Sequence, residues 1–266
     1  MKTYAIKDDH DKGALFGYLI YYERSEAFVI ELSPKVGRER FPLWFEAMAE
    51  NIGLTIGSSW SEKWVSTRII PSDRQNLGMI LRDSGLKEYH VMKLLQIRRG
   101  RCSQDDCYIE PVNEDRFPDW LRQRLGHRLR LAAALNGCRI LAGFEDGRMV
   151  VLDVRKELSK HTKRVLTDPD YFKAVSVSPG GTAAIWPDGT ELMSGRIYES
   201  GKALPVTVED YLETAGELFV DSSRVKDILG TSRQYADRLL KEGTIPVTAA
   251  SGRKLVLKND IEKLKW

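Results

Sequence analysis

The sequence predicts an α+β, multidomain chain. An N-terminal hairpin-plus-helices unit spans 1–115, a small central α+β meander spans 128–200, and a C-terminal helix-turn-helix followed by a basic hairpin spans 218–266. Three observations carry this reading. Two aromatic-rich strand runs open the chain ahead of helical periodicity, closely spaced turn pairs crowd the middle, and two short capped helices precede a Gly- and Pro-marked hairpin at the end.

Leu15 to Tyr22 and Ala27 to Leu32 read as two strands around Glu23-Arg24-Ser25-Glu26, with Phe16, Tyr18, Tyr21 and Tyr22 expected in a first core. Helices are expected at Pro42 to Asn51, from Ser59 with Glu62 in capping-box position to before Pro71, at Asp73 to Asp83, and at Glu88 to Arg98. Trp44, Phe45 and Met48, and again Trp60, Trp64 and Val65, recur at helical spacing, which is core spacing. Arg68, Arg74, Arg98, Arg99 and Arg101 read either as an anion-binding cluster or as structural ion pairs, and the pairs are preferred. The run Arg68-Ile-Ile-Pro71-x-x-Arg74-Gln75-Asn76-Leu77, with Ile80-Leu81, Gly85-Leu86 and Gly100-Arg101, resembles a segment lying ahead of the kinase-like part of HipA-like proteins. No phosphate-binding loop, catalytic aspartate loop or metal-binding triplet follows it, so kinase chemistry is not implied.

Asn113 to Gly126 joins this unit to the middle. Its basic residues and those just beyond it, Arg122, Arg124, Arg128 and Arg130, alternate with apolar ones and read as a solvated face or a basic helix beside nucleic acid. Arg128 to Ala134, Arg139 to Phe144 and Met149 to Val154 read as a three-stranded meander turned at Asn136-Gly137 and Asp146-Gly147. A helical turn starts at Asp168-Pro169, and a hairpin follows from Lys173 to Val177 and Thr182 to Trp186. The segments Leu141-x-x-Phe144-x-Asp146-Gly147, Val151-x-Asp153, Asp168-Pro169-x-Tyr171-Phe172-x-x-Val175 and Ile185-Trp186-Pro187-Asp188-Gly189-x-Glu191-Leu192, with Ile197-Tyr198, resemble the bacterial domain-of-unknown-function family 2442. The resemblance implies a small α+β domain with no known chemistry, found among suspected toxin and antitoxin pairs. Asp153, Asp168, Asp188 and Glu191 are the carboxylates here, and turn, cap and surface roles account for each. Gly201 to Gly216 is a second linker whose acidic stretch Val208 to Glu213 is expected to form a short helix.

In the last stretch a helix from Ser222 to Leu229, capped by Asp221 or Ser222, buries Val225, Ile228 and Leu229 and stops at Gly230. Thr231 and Gln234 have capping-box spacing, so a second helix is expected from Ser232 to about Glu242 with Leu239 and Leu240 inward. Arg233, Gln234, Tyr235, Asp237, Arg238 and Lys241 then face outward. Arg and Gln can bond two base-edge atoms at once, and a reading helix presents them from its first turns, while Lys suits a phosphate. Thr244 to Val247 and Lys254 to Leu257 read as strands joined by Ser251-Gly252-Arg253, which puts Arg253 and Lys254 at the hairpin tip. A last helix from Asn259, with Glu262 as capping partner, is expected to close the core with Ile261, Leu264 and Trp266.

The pattern Val225-x-x-Ile228-Leu229-Gly230-x-Ser232-Arg233-Gln234, then Leu239-Leu240-Lys241-Glu242-Gly243-x-Ile245-Pro246 and a basic residue after Gly252, resembles the winged helix domains of excisionases and MerR-type regulators. The resemblance implies binding of double-stranded DNA through Arg233, Gln234, Tyr235, Arg238, Lys241, Arg253 and Lys254, and a role as transcription regulator or recombination accessory factor. Asp237 departs from a wholly basic face. The alternative is a protein-interaction scaffold or antitoxin-like component acting through the central domain, with the first two modules supplying a protein partner or self-association.

The chain of 266 residues has 42% hydrophobic and 30% charged residues, ordinary for a globular protein, and a formal net charge of only +3. Basic excess is local: residues 219–266 hold ten Lys and Arg against six Asp and Glu. No apolar run approaches a membrane span, and the start lacks an apolar signal segment, so a cytoplasmic protein is expected. Cys102, Cys107 and Cys138 are sparse and His10, His90, His127 and His161 scattered, so neither a metal site nor a cofactor nor catalysis is expected.

Overall fold

The structure is a computed structural model and describes residues 1–11, 14–158, 163–250, 252–262 and 264. His161, Ser251 and Trp266 lie outside them, as do the side chains of Glu213 and of Asn259 and Glu262, the capping pair expected for the last helix. The fold is mixed α+β, built on small antiparallel sheets, and the chain divides into two compact units, Met1–Ala203 and Leu204–Trp266.

The first unit opens with β1 (Lys2–Asp8), β2 (Leu15–Tyr22) and β3 (Ala27–Leu32), followed by α1 (Leu43–Asn51), β4 (Thr55–Ile56), α2 (Ser58–Ser66), α3 (Leu77–Asp83), α4 (Val91–Ile97) and β5 (Cys107–Val112). The strands form one antiparallel sheet in the order β4-β3-β2-β1-β5. Its central strands are buried on both faces, so they read as nearly continuous apolar runs. On one face Ile30 and Leu32 pack with Phe45 of α1, Trp64 of α2 and Leu95 of α4. Trp60, expected in that core, is 39% exposed on the outer side of α2. On the other face Val29, with Tyr18 and Ile20, meets Phe117 and Leu121.

Leu121 belongs to α5 (Asp119–Gly126). Of the arginines in and just after α5, Arg122 and Arg130 are exposed, as a solvated face requires, but Arg124 and Arg128 turn inward. Glu31, between Ile30 and Leu32 and fully buried, receives Arg124 at 3.3 Å and Arg128, which is itself 4% exposed. An extended strand sends alternate side chains to opposite faces, so Glu31 comes out with Val29 toward α5.

The chain continues through β6 (Leu129–Leu135), β7 (Arg139–Phe144), β8 (Met149–Asp153), α6 (Lys163–Thr167), α7 (Pro169–Phe172), β9 (Ser176–Val177), β10 (Ala183–Ile185), β11 (Glu191–Met193), α8 (Ser194–Ser200) and β12 (Lys202–Ala203). Two small sheets result, β12-β8-β7-β6 and β11-β10-β9. Both meander turns are three residues long rather than two. Leu135 pairs with Arg139 around Asn136, Gly137 and Cys138, and left-handed backbone falls at Gly137 and Cys138. In the second turn it falls at Gly147. Asp168 caps α7 by accepting from the amides of Asp170 and Tyr171, and the Trp186 indole donates to the Phe172 carbonyl at 3.1 Å.

The second unit contains α9 (Val208–Leu218), β13 (Phe219–Asp221), α10 (Val225–Leu229), α11 (Arg233–Lys241), β14 (Thr248–Ala250), β15 (Arg253–Leu257) and α12 (Lys258–Glu262). A capping box between Thr207 and Asp210 starts α9, which at eleven residues is longer than the short tether expected. Its strands pair antiparallel in the order β13-β15-β14 around Val220, Val225, Ala236, Leu239, Ile245, Val256 and Ile261. Leu264, expected in this core, is 41% exposed.

Candidate nucleic-acid interface

The two helices that carry the expected site are set by their ends. Asp221 accepts from the Ser223 amide at 2.8 Å and starts a 3₁₀ turn that leads into α10. Gly230 closes α10 with φ of 64°, a left-handed backbone that other residues resist. Two residues later Ser232, not Thr231, caps α11: its hydroxyl accepts from the Tyr235 amide at 3.3 Å. The Thr231 hydroxyl is instead buried without a hydrogen-bond partner among the described residues.

Ala236 and Leu239 turn α11 inward, and Leu240 is half-buried. Arg233, Gln234, Tyr235, Asp237, Arg238 and Lys241 are all exposed, as the spacing predicts, and so is Glu242 at the helix end. At about 100° per residue, Gln234 and Lys241 lie near the middle of the exposed arc, with Arg233 and Arg238 roughly 140° apart to either side. Each arginine has an acidic neighbour one turn on: Arg233 is 3.9 Å from Asp237, and Arg238 is 3.9 Å from Glu242. Exposed i,i+4 pairs of this kind contribute only about 0.3–0.5 kcal/mol, so a phosphate or base edge displaces the carboxylate at little cost. Arg238 also lies over the Tyr235 ring, 5.0 Å from its centroid.

Arg253 and Lys254 open β15, paired with Ala250 and Ala249. Both are exposed, but adjacent strand residues point to opposite faces, so the two cations flank the hairpin instead of forming one pair. The first hairpin strand lies at Thr248–Ala250, later than the expected Thr244 to Val247. Pro246 has no amide to give a ladder, and Ile245 is drawn into the core, its amide donating to the Leu239 carbonyl. Asp221 sits below the usual carboxylate range, held there by hydrogen bonds from Ser223 and, to a lesser degree, by the charge of Arg253.

Two cations escaped the sequence reading. Arg224 and Lys226 stand exposed, Arg224 just ahead of α10 and Lys226 in its first turn. Their signal was present, since Arg224 and Lys226 flank the apolar Val225 on either side.

Of Arg68, Arg74, Arg98, Arg99 and Arg101, three are held in ion pairs. Arg68 is buried against Asp105, Arg99 lies 3.0 Å from Glu110, and Arg101 pairs with Asp9. Cys102, Cys107 and Cys138 are free thiols, and burial pushes the Cys107 thiol well up. Among the described residues no group of His, Cys, Asp or Glu converges to hold a metal ion, and no helix is long and apolar enough to cross a membrane. Of the central carboxylates, Asp153 binds Arg155, Asp168 caps α7 and Asp188 accepts from the Thr190 amide at 2.9 Å.

Comparison of the chain with known protein families, curated proteins and solved structures finds no match. The candidate interface therefore stands on its own residues and geometry.

Proposed function

We propose that the second unit is a winged helix-turn-helix that reads a short site on double-stranded DNA, and that the protein acts as a transcription regulator or recombination accessory factor. The observation that carries the reading is the exposed face of α11. It presents Arg233, Gln234, Arg238 and Lys241 directly after a tight Gly230 turn, on a helix whose other side is anchored by Ala236 and Leu239. Arg233, Gln234 and Arg238 contact base edges, and Lys241, Arg253 and Lys254 contact phosphates. One such module covers little DNA, so tight occupancy calls for adjacent sites or self-association.

The test is retention of full-length protein on a randomised duplex library, with sequencing of the bound fraction, beside an Arg233→Ala, Arg238→Ala double variant. An enriched motif that disappears in the variant supports base reading by α11. With three phosphate contacts, log affinity should fall against log salt with a slope of about −2.7. Retention that is motif-free and unchanged in the variant refutes the reading.

A second reading has an observation of its own. Tyr211, Leu212 and Leu218 of α9 are all exposed, an arrangement that favours contact with another protein.

A further inference from the structure

Three carboxylates line an open cavity of about 760 Å³ in the first unit, within the size range of small-molecule sites. They come from separate elements: Glu26 from the turn between β2 and β3, Glu62 from α2, and Glu88 from the segment ahead of α4. Not one Lys or Arg lines the cavity, and among the described residues none of the three is held in an ion pair. Lys63, next to Glu62 along the chain, lies instead over the Trp60 ring, 3.9 Å from its centroid. His90, also at the cavity, spends Nδ1 on the Lys93 amide at 3.4 Å, where it caps α4. The walls therefore carry unbalanced negative charge.

An unfilled hydrogen-bonding group lies in the same walls. Tyr21 is only 5% exposed and lines the cavity, and its hydroxyl has no hydrogen-bond partner among the described residues. Burial, and then the charges of Glu26 and Glu23, push that hydroxyl above its ordinary range, so it stays neutral and its oxygen is free to accept. Phe28, stacked on Tyr21 with ring centroids 4.8 Å apart, joins Val65 and Ile69 in an apolar wall. The carboxylates do not meet at one point, since among the described residues no group of His, Cys, Asp or Glu converges to hold a metal ion. A ligand that answers all three has to spread its positive charge along its length.

We propose that this cavity binds a linear aliphatic polyamine, whose ammonium groups donate to the Tyr21 hydroxyl oxygen and to Glu26, Glu62 and Glu88 and whose methylene spans lie on Phe28, Val65 and Ile69. Such a chain sets spaced positive charge against spaced negative charge and covers an apolar wall with apolar atoms, which a compact metal ion does not. Hydrogen bonds from an ammonium to a carboxylate are charge-assisted and therefore strong. The inference does not depend on DNA binding by the second unit.

The test is thermal unfolding of the full chain, titrated with spermidine and separately with magnesium chloride and sodium chloride at matched ionic strength. The wild type is compared with Tyr21→Phe, with the double variant Glu62→Gln, Glu88→Gln, and with a charge-matched control, Glu39→Gln, Glu50→Gln. The two control glutamates are exposed and lie outside the cavity. Each change keeps the shape of the side chain, and Glu62→Gln keeps an oxygen to accept from the Ser58 hydroxyl. The expected result is a saturable rise in melting temperature with spermidine, equal in wild type and control, that neither salt reproduces. The apparent affinity should be weaker by roughly fivefold or more in Glu62→Gln, Glu88→Gln and by roughly threefold or more in Tyr21→Phe. A spermidine response no larger than that of magnesium, one left unchanged by both cavity variants, or one weakened as much in the control overturns the proposal.

Discussion

Replacing Ser61 by Ala should weaken the first unit far more than loss of one small hydroxyl suggests. Ser61 lies fully buried in α2, where its oxygen accepts from the Ile30 amide at 3.0 Å and donates to the Ile56 carbonyl at 2.9 Å. One side chain thus ties β3, β4 and α2 together. Alanine leaves two buried backbone groups unpaired at about 1–3 kcal/mol each, and its better helix propensity returns at most about 0.5 kcal/mol. The net expectation is a loss of about 3 kcal/mol, or roughly 6–12 °C in melting temperature for a unit of this size. Urea unfolding followed by tryptophan fluorescence measures it, because Trp44 and Trp64 pack in or against the same core. The midpoint should fall with little change in slope. A loss below about 1 kcal/mol would refute the claim that these two bonds hold the strand pair to the helix.

Gly17→Ala should be more severe still, since an added Cβ would stand 2.2 Å from the Glu31 carbonyl oxygen. A loss of about 3 kcal/mol or more is expected by the same unfolding assay, and a near-neutral variant would mean that β2 and β3 do not approach as described. In the central part, a two-point contact from Arg155 pulls the Asp153 carboxyl down to about 2. Its folded value lies below the unfolded one, so its stabilising share is present above the ordinary carboxylate range and is lost as pH falls through about 2. Carbon-detected NMR titration should find this depressed value in the wild type and an ordinary one in Arg155→Ala; equal values in both would sink the assignment.

What the sequence discloses is what adjacent residues decide. Helix ends at Asp221, Gly230 and Asp168 and the apolar runs of β2 and β3 are local matters, and they lie where spacing puts them. The exposed face of α11 is legible for the same reason, because helical periodicity alone separates Arg233, Gln234 and Arg238 from Ala236 and Leu239. The failures are of another kind. β5 goes unread, and it accommodates Pro111 because it is paired on a single side only. Arg128 looks like part of a charged surface because Glu31 is 97 residues away along the chain. The displaced hairpin strand shows a conflict between Ile245, whose burial wins, and the β-propensity of its neighbours.

Both edges of the five-stranded sheet also limit how this chain can meet others. One edge is β4, only two residues long, and the other is β5, where Pro111 withholds an amide and Glu110 binds Lys7 and Arg99. An incoming strand finds no continuous row of donors and acceptors on either side, so this sheet resists growth by strand addition, the route to fibrils and swapped assemblies. Association through this sheet therefore falls to side-chain fit on its faces instead of to backbone pairing at its edges.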